Sequence, residues 1–259
     1  MFARRKQTTV EVVSMICVVL LIGLAGLACS RPSSNGPSNG LVQVAAAPAD
    51  QGFLAQAQSH IAAREYWASE SDDGLQAPNR EQNLRSYFDG AGVAVHDRTA
   101  EGAPRLVELR LAGIGRGDGI ERVEAGEVVA TENRVEIRRG AIGIVEWFEN
   151  SAAGLEQGFT LAERPVANDS AEALVLELSV AHADAALRGE DVALATASGR
   201  RLSYAKLRVF DAEGRALAAR FEVPSSDRIR LVVEDTGAEY PIVVDPILTE
   251  LANARLESD

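Results

Sequence analysis

The sequence predicts a mainly β protein, an antiparallel β-sandwich with one N-terminal helix. From Leu84 onward, apolar and polar residues alternate with a period of two, which buries one face of each strand and leaves the other in water. Turn formers such as Asp89-Gly90 and Ser198-Gly199 separate the alternating runs, and no helical pattern lies between them. Short strands recurring at intervals of about 8 to 12 residues are typical of sandwiches and barrels.

Residues 1–28 have the form of an export signal. The basic residues Arg4-Arg5-Lys6 precede an apolar run over residues 12–28, which ends in Gly26-Leu27-Ala28-Cys29. The segment resembles a bacterial lipoprotein signal, which implies cleavage after Ala28 and acylation of Cys29. A plain secretory signal or an uncleaved anchor are the alternatives, although about 17 apolar residues are marginal for a membrane span.

The cysteines support the lipoprotein interpretation. The chain has two, Cys17 and Cys29, and both lie in this first segment, so the exported body has no disulfide and no thiol ligand for a metal. Several acyl chains on one residue would hold the protein firmly on a membrane. The resemblance therefore implies an exported, lipid-anchored envelope protein. Ser30, where lipoproteins retained in the inner membrane carry aspartate, favours the outer membrane.

The charge of the chain limits its partners. It carries 38 acidic and 26 basic residues, a net charge of −12, and loss of the signal would make it more acidic still. Such a surface repels nucleic acid and anionic lipid. The expected partners are the membrane, through the lipid on Cys29, and a surface glycan or protein.

Two segments precede the strands. Residues 29–50 are rich in Ser, Pro, Asn and Gly and are predicted to be a flexible tether. Residues 51–83 are predicted to hold a helix over 53–67 and a polar surface segment over 69–80. The helix face is formed by Phe53, Leu54, Ala57, Ile61 and Trp67.

Residues 84–248 are predicted to form the sandwich, with about twelve strands in one large unit or in two lobes that divide near residues 165–172. Pro241 and Pro246 bracket the last strand and predict an edge strand or a domain exit. Residues 249–259 are expected to be a tail or linker. The residues predicted to face the core are Val107, Leu109, Leu111, Val135, Ile137, Leu174, Leu176, Leu178, Val180, Ile229, Leu231 and Val233.

Five phrases occur in a fixed order, namely Gly74–Arg80, Val145–Asn150, Gly154–Phe159, Gly199–Tyr204 and Tyr240–Leu248. Together they resemble the N-terminal β-rich region of large surface proteins from myxobacteria and related bacteria, and the resemblance covers roughly residues 62–259. In that family the region precedes FG-GAP (integrin-like) β-propeller repeats, and the Tyr-Pro-Ile-Val-Val-Asp-Pro phrase marks its end.

The sequence departs from this family because it contains neither an Asp-x-Asp-x-Asp-Gly calcium loop nor a Phe-Gly…Gly-Ala-Pro phrase. The calcium and ligand binding ascribed to the repeats therefore does not carry over. The tail Leu256–Asp259 resembles the lead-in to a first repeat, so we expect either a truncated or split version or a domain that also occurs alone.

No residues group into a recognisable catalytic or metal motif. His60, His96 and His182 lie far apart and lack zinc-ligand spacing, so we expect no metal and no cofactor. The acid–base candidates are Glu146, Glu149 and Glu156, which flank the Trp147-Phe148 pair. Adjacent strand residues face opposite sides, so we expect Trp147 in the core, Glu146 in water and no catalysis here.

Two short motifs are expected to be chance. Arg116-Gly117-Asp118 spells the tripeptide that animal integrins bind, and we expect it to form a tight turn in which glycine supplies a positive φ. Asn168-Asp169-Ser170 matches a glycosylation acceptor and is expected to be a turn.

Three functions remain open. The first is a non-enzymatic, lipid-anchored surface protein whose sandwich acts as a stalk or interaction (adhesion-type) module. The second is a carbohydrate- or peptide-binding module, which an exposed aromatic row of Trp67, Tyr87 and Tyr204 would favour. The third is an envelope hydrolase, which a cleft holding two carboxylates about 5 to 9.5 Å apart would favour.

Overall fold

A computed structural model describes residues 60–72, 74–165 and 172–251 of the chain. They form two antiparallel sheets that enclose one hydrophobic core, so the predicted mainly β sandwich is confirmed. The signal, Ala28, Cys29, the tether and residues 252–259 lie outside the described residues.

Seventeen strands lie in the described part of the chain. They are β1 (Ser69–Ser71), β2 (Gly74–Asn79), β3 (Leu84–Asp89), β4 (Gly92–Asp97), β5 (Arg105–Arg116), β6 (Gly119–Arg122), β7 (Glu127–Thr131), β8 (Arg134–Arg139), β9 (Ile144–Ser151), β10 (Gly154–Leu161), β11 (Leu174–Ala181), β12 (Ala183–Arg188), β13 (Asp191–Thr196), β14 (Arg201–Phe210), β15 (Ala219–Ser225), β16 (Arg228–Val233) and β17 (Ile242–Glu250). A 3-10 turn at Gly140–Ile142 joins β8 to β9.

Sheet A has the order β1-β2-β3-β4-β5-β11-β16-β15, with β6 paired to the end of β5. Sheet B has the order β12-β13-β14-β17-β10-β9-β8-β7. Strands from both sides of residues 165–172 share each sheet, since β5 pairs with β11 and β10 pairs with β17. The described residues therefore form one sandwich, and the alternative of two lobes is wrong.

The predicted inward faces are confirmed. Every side chain that the alternation assigned to the core is at most 5% exposed, whereas Glu108, Arg110 and Ala112 of β5 are partly exposed. Ring pairs join the two inner faces. Phe88 of sheet A lies 5.2 Å from Phe148 of sheet B, between ring centroids. Such pairs contribute about 0.5–1.5 kcal/mol beyond the burial of their area.

The segment over residues 69–80 is part of sheet A, where the sequence predicted only a surface segment. β2 pairs with β3 along its whole length, and the short β1 covers only the first half of β2. Pro78 lies beyond the reach of β1, where no neighbouring strand needs an N–H donor. β2 was therefore not predicted as a strand, because it contains a proline and lacks a clear alternation of apolar and polar residues.

The predicted helix is described only in part. Residues 60–64 are helical, and residues 53–59 lie outside the described range. Ile61 is exposed, and Trp67 follows the helical turn rather than belonging to it. In the described part of the chain, no helix has both the length and the apolar character that crossing a bilayer requires.

The last strand is central, so the prediction of an edge strand is wrong. β17 lies between β14 and β10 in sheet B. The register of β14 on β17 shifts between Ala205 and Arg208, so two residues of β14 face Pro246 alone. This β-bulge interrupts the ladder at the one residue of the strand that has no N–H to donate.

Candidate functional site

Four polar side chains meet inside the sandwich, and Glu146 is at their centre. Glu146 accepts hydrogen bonds from Arg139 Nη2 at 2.5 Å and from Gln157 Nε2 at 2.8 Å, and Gln157 Oε1 accepts one from Tyr204 Oη at 2.9 Å. All four residues are at most 4% exposed. Arg139 also donates to the carbonyl of Gly90.

The expectation of Glu146 in water is therefore wrong. The inward face of β9 carries Glu146 together with Ile144 and Phe148. Burial raises the pKa of Glu146 above its ordinary value, against the opposing effect of the Arg139 guanidinium. This carboxyl is fully enclosed, and its partners Arg139 and Gln157 lie on the two strands that flank β9, β8 and β10.

Trp147 lies on the outer face of sheet B, where the sequence placed it in the core. Its ring covers Gly158 of the neighbouring strand, and a Cβ added at Gly158 would lie 2.0 Å from Trp147 Cζ2. Arg134 stacks over the ring at 4.4 Å, and Nε1 donates to Thr160 Oγ1. The ring is covered by its own neighbours and is no open platform for a ligand.

A cavity of about 420 Å³ on the outer face of sheet B holds two carboxylates. Glu156 and Asp245 line it together with Lys206 and Arg208. Burial, with the charges of Asp245 and Glu149, raises the pKa of Glu156. Arg208 Nη2 forms an ion pair with Asp245 Oδ2 at 3.0 Å. A carboxyl of raised pKa beside a second carboxylate is the arrangement that a glycosidase uses.

A cavity of about 560 Å³ lies on the outer face of sheet A beside β6. Each arginine in its wall has a carboxylate partner. The pairs are Arg110 with Glu108, Arg122 with Glu124 at 3.6 Å, and Arg228 with Glu177 at 3.7 Å. The charges of this cavity are satisfied within the protein, so they exert little pull on a ligand.

A third cavity, here named the arginine pocket, has unbalanced charge. It measures about 360 Å³ and lies between sheet A and the segment that leads into β1. Its charged residues are Arg64, Arg80, Arg85, Arg98 and Glu65. Glu65 pairs with Arg80 at 3.5 Å, and the other three arginines have no carboxylate partner among the described residues.

The strand register assembles this pocket. Arg85 points outward from β3 because its neighbours Leu84 and Ser86 point into the core, and it lies opposite Pro78 of β2. Arg98 directly follows β4, and its backbone N–H donates to the carbonyl of Asn83. Arg64 reaches the pocket from the helical turn.

Trp67 and Pro78 supply the apolar part of the pocket wall. The guanidinium of Arg64 lies 5.3 Å from the Trp67 ring, a cation–π contact that holds Arg64 at the pocket. The backbone N–H of Ala68 donates to the carbonyl of Glu132 at 2.7 Å, which fixes this segment against the β7–β8 turn.

Two buried polar side-chain atoms on the neighbouring strands β2 and β3 lack hydrogen-bond partners. Arg85 Nε has no acceptor, and Gln76 Oε1 has no donor. The amide nitrogen of Gln76 donates to Ser69 Oγ, and Ser69 lines the pocket. Arg139 Nε is the one other such side-chain atom in the described ranges. Buried polar atoms are nearly always paired, so two unpaired atoms on neighbouring strands are unusual.

The predicted aromatic row is only partly present. Trp67 and Tyr87 are both partly exposed, and Tyr87 packs edge-on against His96 at 4.9 Å on the outer face of sheet A. Tyr204 is fully buried, against Phe221, so its inclusion in an exposed row is wrong. Arg85, Arg98 and Gln76 were not predicted, because no local motif marks them and only the strand register brings them together.

The histidines remain apart. His60 lies in the helical turn, His96 Nδ1 donates a hydrogen bond to the carbonyl of Ala103, and His182 follows β11 with a positive φ. In the described ranges no three His, Cys, Asp or Glu side chains converge into a group that would hold a metal.

The integrin-type tripeptide is a tight turn, as predicted. Gly117 has a φ of +52°. Arg116 is buried and makes a bidentate ion pair with Asp235 at 2.7–2.8 Å, while Tyr240 Oη donates to the same carboxylate at 2.6 Å. The arginine of the tripeptide is therefore not available to a receptor. The glycosylation-type motif at residues 168–170 lies outside the described residues.

The chain has little similarity to known proteins. No family model matches the chain, and no curated protein matches it. Among solved structures, it is similar to a family GH92 alpha-mannosidase from Bacteroides thetaiotaomicron in complex with mannoimidazole, with 11% identity and a TM-score of 0.35. The match covers 69% of this chain and 29% of the length of that protein.

Proposed function

We propose that this protein is a non-catalytic surface-binding module, exported and held on the cell envelope by lipid on Cys29. Its sandwich is the interaction domain, and the arginine pocket is the binding site. The tether over residues 29–50 gives the sandwich reach from the membrane, which we infer to be the outer membrane. The observation that carries the proposal is the charge of the arginine pocket.

This charge stands out against the rest of the protein. The chain as a whole has a net charge of −12, and the arginines of the 560 Å³ cavity beside β6 are all paired with carboxylates. Arg64, Arg85 and Arg98 instead face one cavity with no described carboxylate partner. Unpaired positive charge gathered in a concave site favours an anionic ligand, since each guanidinium can donate two parallel hydrogen bonds to an oxyanion.

A ligand panel tests the proposal. The full-length protein, purified in detergent, is immobilised and exposed to arrays of glycans and peptides beside the variant Arg85→Gln/Arg98→Gln. We expect the wild type to bind some members that the variant does not bind. Absence of any binding that depends on these arginines would remove the arginine pocket as the site.

The envelope hydrolase remains the second candidate because of the cavity that holds Glu156 and Asp245. The same panel distinguishes the two functions. Cleavage of a glycan by the wild type, lost in Glu156→Gln and kept in Arg85→Gln/Arg98→Gln, would favour hydrolysis at sheet B over binding at the arginine pocket.

A further inference from the structure

We propose that the ligand of the arginine pocket is a saccharide unit bearing one anionic group, a carboxylate or a sulfate. This inference rests on the proposed function and names the chemistry of its ligand. Arg85 and Arg98 bind the anionic group, and the atoms around Gln76 bind a hydroxyl of the sugar ring.

The anionic group follows from the unpaired arginines. Arg85 lies on β3 and Arg98 directly follows the adjacent β4, and neither has an ion-pair partner among the described residues, so their charge is uncompensated within the described part of the chain. Charge-assisted hydrogen bonds from arginine to a carboxylate or sulfate are roughly twice as strong as neutral ones. Arg64, held over Trp67, adds a third positive charge.

The hydroxyl follows from the two unpaired atoms. Arg85 Nε needs an acceptor, and Gln76 Oε1 needs a donor. A fully ionised oxyanion accepts hydrogen bonds and donates none, so it satisfies the arginine alone. A hydroxyl both donates and accepts. A hydroxyl therefore satisfies both atoms, and together with the anionic group that the unpaired arginines favour, it describes an acidic sugar.

The size of the ligand follows from the cavity and from the total charge. A volume of about 360 Å³ is near the lower end of the range for ligand pockets, which suits one or two sugar rings. The strongly acidic protein repels a long polyanion such as nucleic acid, but a single negative charge carries little of that cost. Trp67 and Pro78 offer an apolar wall to the carbon skeleton of the ring.

Calorimetric titration of the full-length protein in detergent tests this proposal. The probes are glucuronic acid, glucose 6-sulfate, neutral glucose and inorganic sulfate. We expect at least one of the two acidic sugars to bind, with glucose and inorganic sulfate weaker by about tenfold or more, since a hydrogen bond to a charged group contributes about 1.5–3 kcal/mol.

Three variants locate the binding. Arg85→Gln/Arg98→Gln should weaken the acidic sugars by about tenfold or more, and Arg85→Lys/Arg98→Lys should recover part of the affinity because it keeps the charge without the planar fork. Gln76→Leu should weaken the acidic sugars and leave the weak binding of inorganic sulfate unchanged. The matched control, Arg188→Gln/Arg201→Gln, removes the same charge from two exposed positions on sheet B and should change affinity less than twofold.

Each contrary result has its own meaning. Inorganic sulfate binding as tightly as the acidic sugars would overturn the sugar ligand in favour of a bare oxyanion. Equal loss in the control variant would overturn a pocket-specific site. Pocket-dependent binding on the panel without binding of any acidic sugar would overturn this inference and leave the proposed function standing.

Discussion

At the scale of single residues, Asp97 is a buried carboxylate that binds both its own turn and an arginine of the other sheet. Its Oδ1 accepts hydrogen bonds from the backbone N–H groups of Thr99 and Ala100 and from Thr99 Oγ1, and its Oδ2 contacts Arg200 at 3.0 Å. Arg200 also pairs with Glu250 at 2.8 Å. One carboxylate thus closes the turn after β4 and joins sheet A to sheet B.

This position gives a pH-dependent stability. Burial alone would raise the pKa of Asp97, but the bonds from Thr99, Ala100 and Arg200 lower it to about 2. A carboxyl whose pKa is lower in the folded state stabilises fully above its unfolded pKa, and this contribution disappears as the pH falls toward the folded value. We expect Asp97→Asn to cost about 2 kcal/mol at pH 7 and progressively less between pH 5 and pH 2.

Urea unfolding of the wild type and of Asp97→Asn at several pH values measures this difference. Asp118→Asn serves as the control, because its side chain is fully exposed and should change the free energy of unfolding by no more than about 0.5 kcal/mol. A difference between wild type and Asp97→Asn that stays constant from pH 7 to pH 2 would contradict the role given to the Asp97 charge.

The burial of Glu146 and Trp147 could not be predicted from the sequence. The alternation states correctly that Glu146 and Trp147 face opposite sides, but it does not fix which side is inside. Each face of β9 offers two apolar residues, so the pattern alone does not decide. The contacts of Trp147 with Gly158 and Arg134, and of Glu146 with Arg139, decide it, and all of them come from other strands or from beyond the strand's end.

At the scale of elements, β9 and β10 pack closely because Gly158 of β10 has no side chain and the Trp147 ring of β9 occupies the space. Gly158 leaves the space that the Trp147 ring occupies, and the ring is fixed by Arg134 on its other side and by Thr160. Glycine within a strand often marks such a close approach.

We expect Gly158→Ala to destabilise the protein by about 1–3 kcal/mol, because its Cβ would lie 2.0 Å from Trp147 Cζ2 and displace the ring. Chemical denaturation measures the loss, and near-ultraviolet circular dichroism reports the displacement of Trp147. Gly140→Ala is the matched control, since nothing lies within 4 Å of its added Cβ and no positive φ is reported for it. Equal stability of the two variants would refute the fit between ring and glycine.

The strands also differ in how well the sequence predicts them. Strands with clean alternation, such as β11 and β16, were predicted residue by residue because one face of each is buried and the other wet. β2 and β17 were misjudged because each contains a proline. In both strands the proline lies where no hydrogen bond from its backbone nitrogen is needed. Pro78 of β2 lies beyond the end of β1, and Pro246 of β17 lies opposite a β-bulge. The sequence of the strand alone does not show either arrangement.

At the scale of the whole molecule, the fold class was predictable and the candidate site was not. A period of two and regular turns suffice to predict two layers of antiparallel strands. No local sequence pattern predicts the order of the strands within the sheets. The arginine pocket depends on that order, because Pro78, Arg85 and Arg98 come from β2, β3 and the residue after β4.

The proposed lipid anchor makes a prediction for the whole protein. Cys29→Ala should move the protein from the membrane fraction to the soluble fraction, because the acyl chains that hold it are lost. Fractionation followed by immunoblotting measures this. Cys17→Ala, which changes the other cysteine, should leave the protein on the membrane. Retention of Cys29→Ala in membranes would indicate an uncleaved anchor instead.

The central place of β17 has a consequence for the order of events during synthesis. Phe159 pairs with Val244, and until residues 242–250 leave the ribosome, β10 and β14 each present an open edge with no partner between them. Pairings between such distant parts of a chain form slowly, and open edges invite pairing with other chains. The nascent chain thus carries two unfinished half-sheets until residues 242–250 are made, and during this interval its open strand edges are exposed to other chains.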